Sequence, residues 1–298
     1  MFSTIVAGFD DSPRARDGLA LAQLLARICR AELIAADVYV FHPIHRMGDS
    51  EWEQYLREEA LEQMSAAREL ARGAAPRLLA LAGQSVPEAL QRLALSLPAD
   101  LLVIGSRRRG AAARALSGST SERLLQGAPC PVAIAPPGYA QGGSHRLRTL
   151  GVGFDGGRES LVALDAAVEI AQAADARLQV ITVCPPRAAS TRLLHAKRDL
   201  SAYLTAVREQ RAERQAAAVA AIDAVDTTGE MRDGDAAAVL IARARELDLL
   251  VLGSRGYGPW RRLMLGSVST KVTRKAACPL LLVPRAALPE DDRSEERW

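Results

Sequence analysis

Flat side chains are scarce in this chain: four Phe, five Tyr and three Trp among 298 residues. That leaves few platforms on which bases could stack. Basic and acidic residues nearly balance, 38 against 35, and the net charge of +3 is dispersed rather than gathered into a patch. Nucleic acid is therefore not an expected partner. The four cysteines, Cys29, Cys130, Cys184 and Cys278, form no CxxC pair and lie in apolar stretches, which favours buried free thiols over disulfides. No apolar run approaches the roughly 18 residues of a membrane span. The start, from Met1 to Asp10, has neither the basic residues nor the small-residue cleavage site of a secretory signal. A cytoplasmic protein without a membrane partner is expected. Histidines also number four. His42 and His45, near Asp49 and Glu51, read as a solvated loop rather than a metal centre; His145 and His195 receive no role. None falls at a strand end, where a Ser–His–Asp arrangement would need one.

What the chain does contain is a repeat. Asp100-Leu-Leu-Val-Ile-Gly105-Ser-Arg-Arg108 is followed, after nine residues, by Gly118-Ser119. Asp248-Leu-Leu-Val-Leu-Gly253-Ser-Arg-Gly256 is followed, after nine residues, by Gly266-Ser267. The copies align without a gap from Asp100 and Asp248 to Pro136 and Pro284, with Cys130-Pro131 falling on Cys278-Pro279. Each half opens with a short apolar strand running into an aspartate, Ile5 to Asp10 and Leu150 to Asp155, followed by a helical pattern and a second strand, Leu33 to Val38 and Leu178 to Val183. A long helical segment comes next. Trp52, Tyr55 and Leu56 begin its apolar stripe in one half; Leu200, Tyr203, Leu204 and Val207 make it in the other, where the stripe reads as core, with a partner-binding groove as the alternative. A third strand near Leu78–Leu81 and Gly229–Met231, a helix, the apolar fourth strand, the glycine loop, a further helix and a last strand complete each unit.

Strands alternating with helices predict an α/β fold: two tandem doubly wound parallel sheets of flavodoxin-like or Rossmann-like order 3-2-1-4-5. The expected domains are 1–140, with an altered glycine loop, and 146–288, with a complete one. Pro137 to His145 is the linker, and a charged tail follows Leu288. Pro131 and Pro279 mark strand starts that suit the edge of each sheet. An apolar edge strand invites pairing. Val132–Ala135 and Leu280–Val283 are therefore expected to pair antiparallel, packing the halves as a pseudo-twofold pair.

In such a sheet the ligand crevice opens at the carboxyl ends of the strands beside the switch point. That brings Asp155 opposite Gly253 and Ser254, and Asp10 opposite Gly105 and Ser106. Gly266, Ser267, Val268, Ser269 and Thr270 would offer backbone N–H groups and hydroxyls at the start of the last helix, an arrangement suited to nucleotide phosphates. Gly118, Ser119 and Thr120 hold the same place in the first half. A Gly–Ser loop can also serve only to turn the chain. No GxxxxGK[ST] loop occurs, and the GxGxxG match at Gly151, Gly153 and Gly156 places its first two glycines inside a strand, so it is coincidental.

Gly253-x-x-Gly256, nine residues and Gly266-Ser267 resemble the ATP-loop signature of the universal stress protein family. The strand-one aspartate, the Asp-Leu-Leu-Val-Leu-Gly-Ser-Arg-Gly run and Cys278-Pro-Leu-Leu-Leu-Val-Pro284 extend that likeness over nearly the whole chain, twice, as in a tandem-type member. The resemblance implies an adenine nucleotide, ATP above all, with Mg accompanying the phosphates. Asp155 and Asp10 would lie near the adenosine, and Val183 and Val38 would lend backbone to adenine. The first half departs from the pattern: Arg108 stands where the second loop glycine belongs. It either obstructs the backbone approach or grips phosphate itself.

The leading expectation is a stress-response regulator that binds an adenine nucleotide and signals through an unidentified regulatory protein partner, or as a homodimer. It is not read as an enzyme, with slow ATP hydrolysis at most a side activity. One rival is an interaction module that does not use nucleotide. The other is an adenylating enzyme of the wider nucleotide α-hydrolase type, whose Ser-Gly-Gly-x-Asp-Ser loop is matched neither by Asp155 to Ser160 nor by Asp10 to Pro13.

Overall fold

A computed structural model describes residues 1–41, 49–70, 75–106, 120–142, 146–184, 197–257, 262–264 and 266–284. The first half runs β1 (Thr4–Gly8), α1 (Pro13–Cys29), β2 (Glu32–Val40), α2 (Asp49–Gln63), α3 (Ser65–Glu69), β3 (Arg77–Gly83), α4 (Val86–Ser96), β4 (Leu101–Gly105), α5 (Thr120–Leu125) and β5 (Val132–Ala135). The second runs β6 (Thr149–Gly153), α6 (Arg158–Ala174), β7 (Arg177–Cys184), α7 (Lys197–Ala220), β8 (Thr227–Asp233), α8 (Ala236–Arg243), β9 (Leu249–Tyr257), β10 (Arg262–Met264), α9 (Ser267–Thr273) and β11 (Leu280–Pro284). The loop residues Arg108, Gly118 and Ser119, the four histidines and the tail lie outside the described residues.

The strands join in one path, β3-β2-β1-β4-β5-β11-β9-β6-β7-β8, with β10 paired to β9. Each half therefore has the expected 3-2-1-4-5 order, parallel within itself. At the centre β5 and β11 run antiparallel, with Ala133 opposite Leu281. Those two residues are equivalent positions of the repeat, so a local twofold axis passes between them, as in an isologous dimer interface. The two core layers each draw on both halves. On one face Leu21 and Leu25 of α1 and Val162 and Ile170 of α6 belong to a single buried cluster. On the other, Leu90 of α4 joins Leu240 of α8 and Val272 of α9. Strands buried on both faces read as continuous apolar runs, which is why they stood out in the sequence.

Local chemistry sets the boundaries. Ser12 caps α1, its Oγ accepting the Ala15 N–H, and Pro13 opens the helix. Arg30 and Asp175 close α1 and α6 in the left-handed region, at φ 55° and 51°. Asp100 and Asp248, which begin the repeated motif, act at the sheet end away from the glycine loops. Asp248 Oδ2 accepts the N–H groups of Arg148 (2.8 Å) and Thr149 (2.9 Å), fixing the start of β6. Asp100 does the same for Ser3 and Thr4. Buried Asp17 of α1 holds the linker by accepting the N–H groups of Gly138 and Ala140, both at 2.8 Å.

Three expectations are corrected. β1 and β6 stop at Gly8 and Gly153, so Asp10 and Asp155 sit in the turns that follow. The fourth strand of the second half does not end at Leu252. β9 continues to Tyr257, because β10 folds back on it and pairs Leu263 with Gly256. The stripes of the long helices face the core only in part: Trp52 and Tyr55 stack on each other and with Tyr203 are more than half exposed, whereas Leu56, Leu204 and Val207 are half-buried. Among the described residues no helix is long and apolar enough to cross a membrane.

Candidate functional site

The crevice of the second half lies between the carboxyl ends of β6 and β9, whose last paired residues are Gly153 and Leu252. Beyond β6 the chain turns sharply. Gly156 has φ 80°, a conformation glycine adopts without strain, and Asp155 Oδ1 accepts the Gly157 N–H at 2.9 Å. Ser160 locks the turn by donating its hydroxyl to the Gly157 carbonyl at 2.8 Å. Asp155 itself is exposed.

The loop glycines have separate causes. A Cβ on Gly253 would collide with the carbonyl of Glu159 in the first turn of α6, and one on Gly105 with the carbonyl of Arg14 in α1. These two glycines let the helix seat against the strand end, a requirement of the fold itself. Gly266 is different. It caps α9 at φ −68° and ψ 168°, angles open to any residue, and an added Cβ would meet no described residue within 4 Å. Nothing described inside the protein requires a glycine there.

The remaining expected residues divide. Ser267 is exposed and Val268 half-buried at the start of α9. Ser254 is buried in β9 opposite Pro284, and Ser269 is buried with its Oγ 3.5 Å from the Gly253 carbonyl. The Ser269 hydroxyl lies against the end of β9. Gly256 lies within β9. Thr120 opens α5, and its side chain is outside the described residues. Val183 and Val38 take equivalent places on β7 and β2, opposite Arg232 and Leu81.

The first crevice has another electrostatic character. Asp10 is engaged: Oδ2 pairs with Arg14 at 3.0 Å, while Oδ1 accepts from the hydroxyl and N–H of Ser12. Partial burial opposes ionisation, but the Ser12 and Arg14 bonds outweigh it and hold the carboxyl below its ordinary value. Burial first, then the Asp10 charge, pushes the nearby Asp37 up. Asp11, at φ 53°, pairs with Arg16. In the second half the places of Arg14 and Asp37 are taken by Glu159 and Thr182, so the arginine that occupies Asp10 has no counterpart at that position of the repeat.

Sequence reasoning missed the contribution of α7. Arg211 donates from Nη1 to the Val183 carbonyl, Arg208 pairs with Asp233 at the end of β8, and buried Gln215 donates to the carbonyls of Val180 (2.7 Å) and Glu230 (3.0 Å). The spacing of Arg208, Arg211 and Gln215 along one helical face was the available signal. Thr182, fully buried beside Val183, has no hydrogen-bond partner for its hydroxyl among the described residues.

All four cysteines are buried and free, as expected. Burial pushes the thiols of Cys130 and Cys278 up to about 12, which leaves them neutral and inert near neutral pH. Among the described residues no His, Cys, Asp or Glu cluster could hold a metal. A cavity of about 570 Å³ lined by Leu24, Arg27, Arg146 and Asp175 lies at the other end of the sheet and holds none of the expected residues.

Fold and site together define the class: two doubly wound α/β units fused edge to edge, each with a crevice between its first and fourth strands. The family model described as universal stress protein family matches residues 1–136 and 146–284. A universal stress protein of Mycobacterium tuberculosis H37Rv is 30% identical, with 94% of this chain and 99% of the relative covered. A universal stress protein of Thermus aquaticus is 34% identical over 45% of this chain and 98% of its own length. The crystal structure of a universal stress protein from Archaeoglobus fulgidus DSM 4304 superposes with a TM-score of 0.65 at 18% identity, covering 95% of this chain and 98% of that one. The chain belongs to the universal stress protein family.

Proposed function

We propose that this is a cytoplasmic stress-response regulator that binds ATP or another adenine nucleotide in the crevice of its second half, residues 146–288. Asp155 would receive the ribose hydroxyls, and the Val183 backbone would meet the adenine edge. The backbone at Gly253–Gly256 and Gly266–Ser267 would face the phosphates, with Mg carried by them. Bound nucleotide supplies a compact polyanion whose charge changes which partner surface is favourable, a second copy of the chain or another protein. The role is that of a binder, with hydrolysis slow and incidental.

The observation that carries this reading is Gly266. The fold explains Gly253 through the Glu159 carbonyl, whereas Gly266 has ordinary backbone angles and no described residue within 4 Å of an added Cβ. A glycine at a place where the described residues leave room for a side chain is best explained by something outside the chain that must come close. The Asp10–Arg14 pair and Arg108 favour the second crevice over the first.

Isothermal titration of ATP into nucleotide-free protein tests it, alongside Gly266→Ala and Gly118→Ala. Binding at a stoichiometry near one, lost only in Gly266→Ala, is expected. Reduced stoichiometry in both variants would mean two working crevices. Absence of binding in the wild type would overturn the reading in favour of an interaction module.

A further inference from the structure

The two crevices differ at the end where a base would sit, and the difference lies in the long helices. Register fixes their equivalence. Ile34 on β2 pairs with Arg77 on β3, and its counterpart Gln179 on β7 pairs with Thr228 on β8. Counting back equally from Arg77 and Thr228 sets Met64 against Gln215, and Ala60 against Arg211. Met64 and Ala60 are buried and apolar. At the same places the second half has a buried amide that bonds two strand carbonyls and a guanidinium that bonds a third, that of Val183. Among the described residues, no side chain donates to the carbonyl of Val38 in the first half.

A second contact shows that α7 lies over this end of the crevice. A Cβ on Gly156 would come within 2.7 Å of Arg214 Cδ, so the stem of Arg214 runs across the turn that carries Asp155. Arg211 and Arg214 thus cover the two places, the Val183 carbonyl and the Asp155 turn, that the nucleotide reading assigns to base and ribose. Arg211 is half-buried and has no ion pair among the described residues; the Val183 carbonyl is its bonded partner.

We propose that Arg211 is an internal stand-in for the amino group of the base. It satisfies the Val183 carbonyl in the free protein and must swing away before an amino-bearing base can donate to that oxygen. The site is then competent only in the fraction of molecules whose Arg211 has moved, and the apparent affinity falls by that fraction. The inference rests on the nucleotide reading and deepens it: Arg211 sets the concentration at which the second crevice fills. The first half shows the opposite combination, a Val38 carbonyl with no side-chain donor among the described residues and an altered loop sequence.

The test is titration of the full chain and its Arg211→Met variant, which keeps the packing stem and loses the donor, with ATP, ITP and tripolyphosphate. ITP presents an oxygen where ATP presents the amino group, and tripolyphosphate has no base. The variant is expected to bind ATP roughly tenfold more tightly. Its affinity for ITP and tripolyphosphate should stay within about twofold of the wild type. Arg211→Gln, too short to reach the carbonyl, carries the same expectation should the Met variant fail to fold. Unchanged ATP affinity would make Arg211 a structural cap only, and weaker binding would make it a ligand contact; either overturns the proposal. If wild type and variants alike bind no ATP, the nucleotide reading itself falls, and this inference with it.

Discussion

A methyl group added at Gly253 would collide with the carbonyl of Glu159, whereas one added at Gly266 would meet no described residue within 4 Å. These residues belong to one spacing motif, yet one is fixed by packing of the chain on itself and the other is not. Gly253→Ala should cost roughly 2–3 kcal/mol, because a helix must move away from a strand end to make room. Gly266→Ala should cost no more than about 1 kcal/mol, the ordinary difference between these residues at a helix cap. Urea denaturation of the two variants measures this, and equal losses would remove the distinction on which the candidate site depends. The motif was legible in the sequence; this division of labour was not. A spacing pattern shows that a glycine is present, and only the neighbouring backbone shows whether the fold demands it.

At the scale of elements, strands and helices differed in how openly the sequence displayed them. β4 and β9 are covered on both faces, so Leu101–Ile104 and Leu249–Leu252 read as unbroken apolar runs. The long helices misled. The aromatic members of their stripes, Tyr203, Trp52 and Tyr55, lie on the solvent side, while half-buried Leu204 and Val207 share the inward face of α7 with Arg211 and Gln215. Periodicity finds the apolar positions of a helix, and it misses inward positions that are polar because they bond strand carbonyls. Gly229 on β8 lies against the Gln215 amide, leaving room for that side chain. Gln215→Ala should therefore lower stability by about 2–4 kcal/mol, through the cavity and the two lost bonds. Gln215→Met, which restores the side-chain type of the first half, should lose less, since it keeps the volume. Guanidinium denaturation of both variants distinguishes the terms; equal losses would mean that the hydrogen bonds alone matter.

Across the whole molecule, the β5–β11 seam makes the two repeats a single body. Ala133 faces Leu281 across the axis, and both strands are buried on both faces. The same union shows above the sheet, where α1 and α6 share one cluster and the amino terminus of Met1 pairs with Glu169 of α6. That pairing was legible because an apolar strand at a sheet edge needs a partner, and the chain supplies an equivalent one from its other half. The linker is then a tether rather than the source of cohesion, although Asp17 fixes its first residues to α1. A protease site inserted after Gly142 tests this. Once cut, the two pieces should still elute together at the volume of the intact chain and melt in a single transition, because the antiparallel ladder and both core layers cross the seam. Separation of the pieces, or two independent transitions, would mean that the covalent connection holds the halves together. In that case a change at one crevice would have no packed route to the other.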